Sequence, residues 1–128
     1  MTQQDDVSGI WNCRYWYPSN AHPGEEEVSE YEVHAEQTGN QLILQSIPNA
    51  TDSYILIRLI IDGVYASGSW TENTSPSGEF AGMIYSGVVQ LLIDNDGQRM
   101  RGKWVGVGRD LVRQQPDVYE GRWELTRV

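Results

Sequence analysis

Glu72 is the residue of this chain whose type and setting together suggest chemistry. Alternation along Val64 to Glu72 puts its carboxylate on the same face as Trp70, where the apolar side chains point. A carboxylate so placed is costly unless it is paired or hydrogen-bonded. Three roles are open to it: an acceptor for a ligand's donor group, a cap on the turn that begins at Asn73, or the general base of a small isomerase or hydrolase. The last needs a hydroxyl partner and a raised pKa. Other reactive types offer less. His22 lies beside Pro23, and His34 faces solvent between Glu32 and Glu36, so neither has an evident partner. Cys13 is the single cysteine; it can form no intrachain disulfide, and with no activating histidine it reads as a small buried hydrophobe. Gly102, Gly106 and Gly108 are not a phosphate loop, because no helix follows them. Glu25, Glu26 and Glu27 form a solvated acidic run. No metal-binding set and no cofactor motif is legible, and binding is expected in place of catalysis.

The elements that must position Glu72 are strands. No segment keeps a 3.6-residue apolar period for three turns, whereas period-2 alternation of β-branched and aromatic residues recurs between Gly, Pro, Asn and Asp. Eight strands are predicted: Gly9 to Tyr17, Ser29 to Gln37, Gln41 to Ile47, Tyr54 to Ile61, Val64 to Glu72, Glu79 to Ile93, Arg99 to Val107 and Val118 to Arg127. The sixth is long, and Gly82 and Gly87 five apart within it predict a bulge, the alternative being a break into two shorter strands. Alternate connectors are tight (Thr38-Gly39-Asn40, Asp62-Gly63, Asp94-Asn95-Asp96-Gly97) and the others longer, and all five prolines fall in the longer set. In an up-and-down antiparallel meander that parity places tight turns at one end and long loops at the other. The 128 residues make one all-β barrel domain with a mouth, preceded by a free stretch over residues 1 to 7.

Four of the five tryptophans follow a glycine by two positions: Trp11, Trp70, Trp104 and Trp123. Glycine leaves room for an indole in a narrow barrel and permits the coiling that closure demands. By position along their strands, Trp11 and Trp123 should plug the floor with Arg127 nearby, and Trp70 and Trp104 should approach the mouth. The same face carries Cys13, Tyr15, Tyr17, Tyr31, Val33, Tyr85, Met100, Tyr119 and Leu125, and an aliphatic set from Ile55 to Ile61. The candidate binding residues are therefore Tyr15, Tyr17, Tyr31, Trp70, Glu72, Tyr85, Trp104 and Tyr119, with Arg109 at the rim. Aromatic walls with a few hydroxyls and one carboxylate suit a flat, partly polar ligand.

A Gly-x-Trp early in the first strand, eight meander strands and Arg127 near the C-terminus resemble the calycin superfamily of lipocalins, fatty-acid-binding proteins and avidins. The resemblance implies a ligand-holding barrel in which Trp11 is covered by the late basic residue Arg127. The chain lacks the later lipocalin motifs and a disulfide pair. The run Gly68-Ser-Trp-Thr-Glu-Asn-Thr-Ser-Pro-Ser-Gly78 and the closing Gly121-Arg-Trp-Glu-Leu-Thr-Arg-Val128 are also similar to a barrel domain found C-terminal to helix-turn-helix regulators in actinobacteria. That likeness implies a bacterial sensory or regulatory barrel whose DNA-binding partner is another chain; a homodimer is the other partnership open to it.

A net charge of −9 argues against nucleic acid or an anionic membrane surface as partner. Residues 1 to 52 carry nine acids against Arg14 alone, while residues 97 to 128 carry seven bases against four acids, which favours the two ends of the chain lying together. The N-terminus has no basic and apolar leader, so a cytoplasmic location is expected and the triplets at Asn49 and Asn73 are chance matches. The leading expectation is a small-molecule-binding, lipocalin-like barrel. The alternative is a filled barrel that binds protein through the acidic second strand (Glu30, Glu32, Glu36) or the basic seventh (Arg99, Arg101, Lys103).

Overall fold

The computed structural model describes residues 6–18, 24–47, 53–73, 84–110 and 115–128, the side chains of 108–110 and 115 excepted. Its eight strands are β1 (Gly9–Pro18), β2 (Glu26–Thr38), β3 (Gln41–Ser46), β4 (Tyr54–Asp62), β5 (Tyr65–Asn73), β6 (Ile84–Ile93), β7 (Arg99–Asp110) and β8 (Gln115–Arg127). They form one closed antiparallel barrel in chain order. β1 meets β8 along Trp11 to Tyr15, so no edge is left to template association.

The tight turns sit where alternation breaks at glycine: Gly39, Gly63 and Gly97 hold φ of +61, +64 and +68, which a residue with a Cβ adopts only at a cost. Most of the long connectors, with Pro23, Pro48, Pro76, Gly82 and both glycosylation-type triplets beyond Asn73, lie outside the described residues. β2, β7 and β8 run longer than expected, because backbone pairing continues past the alternating core to Pro18 with Glu26 and to Asp110 with Gln115. The expected bulge is not found in the described part of its strand. From Ile84 to Ile93 the register with β5 advances one residue at a time, and it does so with β7 from Ser86 to Ile93. Gly87 is there for space, as its neighbours show.

An alanine Cβ at Gly87 would stand 2.9 Å from Trp70 Nε1, and one at Gly106 would stand 2.6 Å from Trp70 Cζ2. One at Gly121 would stand 2.7 Å from Trp104 Nε1. In register, Trp70 faces Gly87, Trp104 faces Gly121, and Trp123 faces Gly102. For Trp70 and Trp104 the glycine across the ladder is thus the one that makes room for the indole, whereas a Cβ at Gly102 would meet the backbone of Gln90 and Leu91.

Inward positions of β2 to β5 bury Val33, Leu42, Leu44, Ile57 and Leu59, each worth about 1.5–3 kcal/mol when fully removed from water. Among the described residues most charged side chains other than Glu72 face out, the reverse of the lipid-facing pattern of transmembrane barrels. Val7, within the stretch expected to be free, is 1 % exposed and joins the core. Its amide donates to Gln37 Oε1 (2.9 Å), and its carbonyl accepts from Trp11 Nε1 (2.8 Å).

Arg127 seals this end. Its guanidinium lies 4.8 Å from the Trp11 ring centroid and donates to the carbonyls of Ser8 (2.8 Å), Asp6 (3.0 Å) and Gly97 (3.1 Å). The two ion pairs seen among the described residues, Arg14 with Glu30 and Arg99 with Glu124, lie on either side of the β1–β8 seam. The seam itself is joined by the backbone ladder and by Val128 N donating to Ile10 O (3.0 Å).

Candidate functional site

A layer of indoles crosses the barrel interior. Trp70 meets Trp104 at 5.6 Å and Trp123 at 5.9 Å between ring centroids, both edge to face. Trp123 also lies 5.1 Å from Tyr15. It therefore sits in the middle of the barrel and not on the floor expected for it, leaving Trp11 and Arg127 at the base. Every one of these indoles has its N–H occupied by protein: Trp70 donates to Val88 O (3.1 Å), Trp104 to Trp16 O (3.0 Å) and Trp123 to Cys13 Sγ. Trp70 and Trp104 are buried, so they have ring faces and no free donor to offer a ligand.

Toward the long-connector end of this layer stands Glu72, two residues beyond Trp70 on β5. It is 8 % exposed and is the one buried carboxylate among the described residues. The Tyr15 hydroxyl on β1 and the Tyr31 hydroxyl on β2 both donate to the same oxygen, Glu72 Oε2, Tyr31 at 2.5 Å. In a closed barrel of eight strands β1 and β5 face each other, so these two bonds span the lumen. The tyrosine rings stack with planes 7° apart and centroids 6.3 Å apart, and Trp104 meets Tyr15 edge-on at 6.4 Å. The result is a strut of two phenols and a carboxylate lying across the barrel.

The electrostatics follow from burial. Tyr15 and Tyr31 are held well above the ordinary phenol range, by desolvation first and then by the Glu72 charge. Tyr17 is pushed up to about 12, by burial first, then by its hydrogen bond to Glu27, with Glu72 a smaller cause. Tyr85 moves the same way, by burial and then Glu72. The Cys13 thiol is pushed up to about 12 by complete burial, so it is held as the unreactive thiol. The field of one carboxylate thus reaches four tyrosines.

Tyr17, two residues beyond Tyr15 on β1, Tyr85, across the ladder from Glu72, and Tyr119 on β8 are half-buried and packed against the core cluster. The lumen-facing candidates of the sequence reading therefore share one face. Tyr15, Tyr31, Glu72 and Trp104 are brought into contact, while Trp70 lies beneath them among the indoles. The Arg109 side chain lies outside the described residues; its backbone pairs with Pro116 at the end of β7. Alternation alone could not reveal the link from Glu72 to Tyr15 and Tyr31, which are 57 and 41 residues away in sequence. His34 is exposed on β2, and no group of three His, Cys, Asp or Glu side chains that could hold a metal ion is found among the described residues.

A hollow of about 410 Å³ lies along β1, β2 and β8, lined mainly by the outward side chains Arg14, Glu30, Glu32 and Glu124 and reaching Cys13 and Tyr31. It is polar and carries the Arg14–Glu30 pair. No helix long and apolar enough to cross a membrane is present among the described residues. No protein-family model, no curated protein and no solved structure matches this chain.

Proposed function

We propose that this protein binds a small organic molecule in a cup at the long-connector end of the barrel, as calycin-like barrels do, and that it does no chemistry on it. The carrying observation is Glu72: a buried carboxylate clamped by Tyr15 and Tyr31 and set beneath the half-exposed rings of Tyr17, Tyr85 and Tyr119. A protein needing only a packed core would fill this level with aliphatic side chains, which carry no desolvation cost. The strut forms the base of the cup, the tyrosine rings its wall, and the acid a fixed acceptor that orients the ligand. In this reading the protein is a cytoplasmic sensor, reporting occupancy to a regulatory partner or through a homodimer. Native mass spectrometry of the protein purified from its own host should reveal a retained small mass that Glu72→Gln and Tyr31→Phe reduce. An empty wild-type protein that no small organic molecule shifts by calorimetry overturns the reading.

A second reading, a module that binds protein through its outer wall, is favoured by one feature. Val88 faces Val105, and Val107 faces Val118, across adjacent ladders of β6 to β8, at 59, 39, 61 and 64 % exposure. The charged patches expected for such a role are partly occupied, since Glu30 is tied to Arg14 and Arg99 to Glu124. Sedimentation velocity separates the readings: self-association abolished by Val107→Lys supports the outer wall, and a monomer at all concentrations removes a homodimer formed there.

A further inference from the structure

We infer that the ligand of this cup is an organic cation, a primary or quaternary ammonium, recognised by the Glu72 carboxylate and by tyrosine and tryptophan ring faces. The inference rests on the binding reading above and adds the ligand's charge to it. Four observations carry it.

First, the partners that hold Glu72 are neutral. Two phenol hydroxyls satisfy a carboxylate oxygen but leave its negative charge in place. Second, among the described residues no Lys or Arg reaches the lumen above the floor. Arg14, Arg58, Arg99, Arg101, Lys103 and Arg122 are exposed on the outer wall, and Arg127 is committed to the floor carbonyls. A buried charge of this kind is ordinarily paired; the described wall supplies the acid and no base, which a ligand carrying the base would complement. Third, the surroundings are aromatic. Tyr15 stacks on Tyr31 and meets Trp104 edge-on, Tyr17 and Tyr85 pack against the same cluster, and the negative face of an aromatic ring attracts a cation most strongly where water is excluded. Fourth, Glu27 meets the Tyr17 hydroxyl at the rim, so the approach to the cup is also negative.

The same arrangement repels an anion. It also suits ammonium better than a divalent metal, because one carboxylate with phenols falls short of the six to eight oxygens that calcium prefers, and magnesium holds several waters in place of such a cage.

The test is calorimetric titration of the wild-type protein with three flat probes of equal size and different charge: benzylammonium, benzyl alcohol and benzoate. Choline and its neutral tert-butyl isostere isolate the ring contribution from hydrogen bonding. The expected result is that each cation binds at least about tenfold more tightly than its neutral counterpart, and that benzoate binds most weakly. Glu72→Gln should erase the charge preference, with near-ultraviolet circular dichroism reporting whether the aromatic packing persists; the wild-type ranking stands as a test if the variant does not fold. Probes that bind without regard to charge, or benzoate binding best, overturn the cation inference and leave the binding cup intact. No heat from any probe, with an empty native mass, overturns both.

Discussion

Glu72 concentrates the energetics of the site in one oxygen. Tyr31→Phe removes one donor from a buried anion and should lower unfolding free energy by about 1–3 kcal/mol in urea titrations. Tyr15→Phe should act alike, and the double variant should cost more than the sum, because the second loss leaves Oε2 without either phenol. A strictly additive pair would mean that the two hydroxyls do not share one acceptor. That Glu72 points inward was legible from its place two residues after Trp70. Its partners were not, because a contact across the lumen depends on closure bringing β1 opposite β5, and no local pattern encodes the barrel's width. Cys13 was legible in full: a lone thiol on the inward face, now seen wholly buried against the Trp123 N–H. The role of Val7 was hidden by the polar residues around it.

At the level of the elements, strand parity, hairpin glycines and the inward face could all be read directly, since each depends on neighbours in sequence. What pairs across a ladder could not. The Gly-x-Trp repeat suggested that each glycine serves the tryptophan that follows it, whereas the register sets Trp104 over Gly121 and Trp123 over Gly102. The bulge inferred from Gly82 and Gly87 failed over the described residues for the same reason: Gly87 is required by the β7 backbone at Val105 and by the Trp70 indole on β5. Gly121→Ala should therefore destabilise the barrel by about 1–3 kcal/mol or more, because the new methyl would stand 2.1 Å from Trp16 O as well as against Trp104. Trp104→Phe in the same chain should recover part of the loss by shortening the opposing ring. Chemical denaturation of the single and paired variants reads this out, and no recovery would place the clash with the backbone alone.

The molecule as a whole closes by joining its first and last strands, and Arg127 is the clasp. Arg127→Ala should cost about 2–4 kcal/mol by losing the ring stack and three carbonyl contacts, and Arg127→Lys should restore only part of it, since an ammonium cannot fork as a guanidinium does. Closure also fixes how stability depends on pH. The interior holds neutral acids, Cys13 and the tyrosines of the strut, whose folded pKa values lie above their unfolded ones. Such groups remain protonated in the barrel while the unfolded chain ionises. Above about pH 9 the unfolded state therefore binds fewer protons, and stability falls as pH rises. Below that pH these groups contribute their stability in full. For Cys13 the window runs from its ordinary 9.0 to about 12, with a slope near 1.4 kcal/mol per pH unit. Tyr15 and Tyr31 steepen the fall from about pH 10 upward. Cys13→Ser keeps an acceptor for the Trp123 N–H but cannot ionise. Urea midpoints measured between pH 8 and pH 11 should thus decline less steeply in this variant than in the parent, by that amount per unit above pH 9. Equal slopes in the two proteins would show that the thiol is open to water, and with it the core that the four tryptophans enclose.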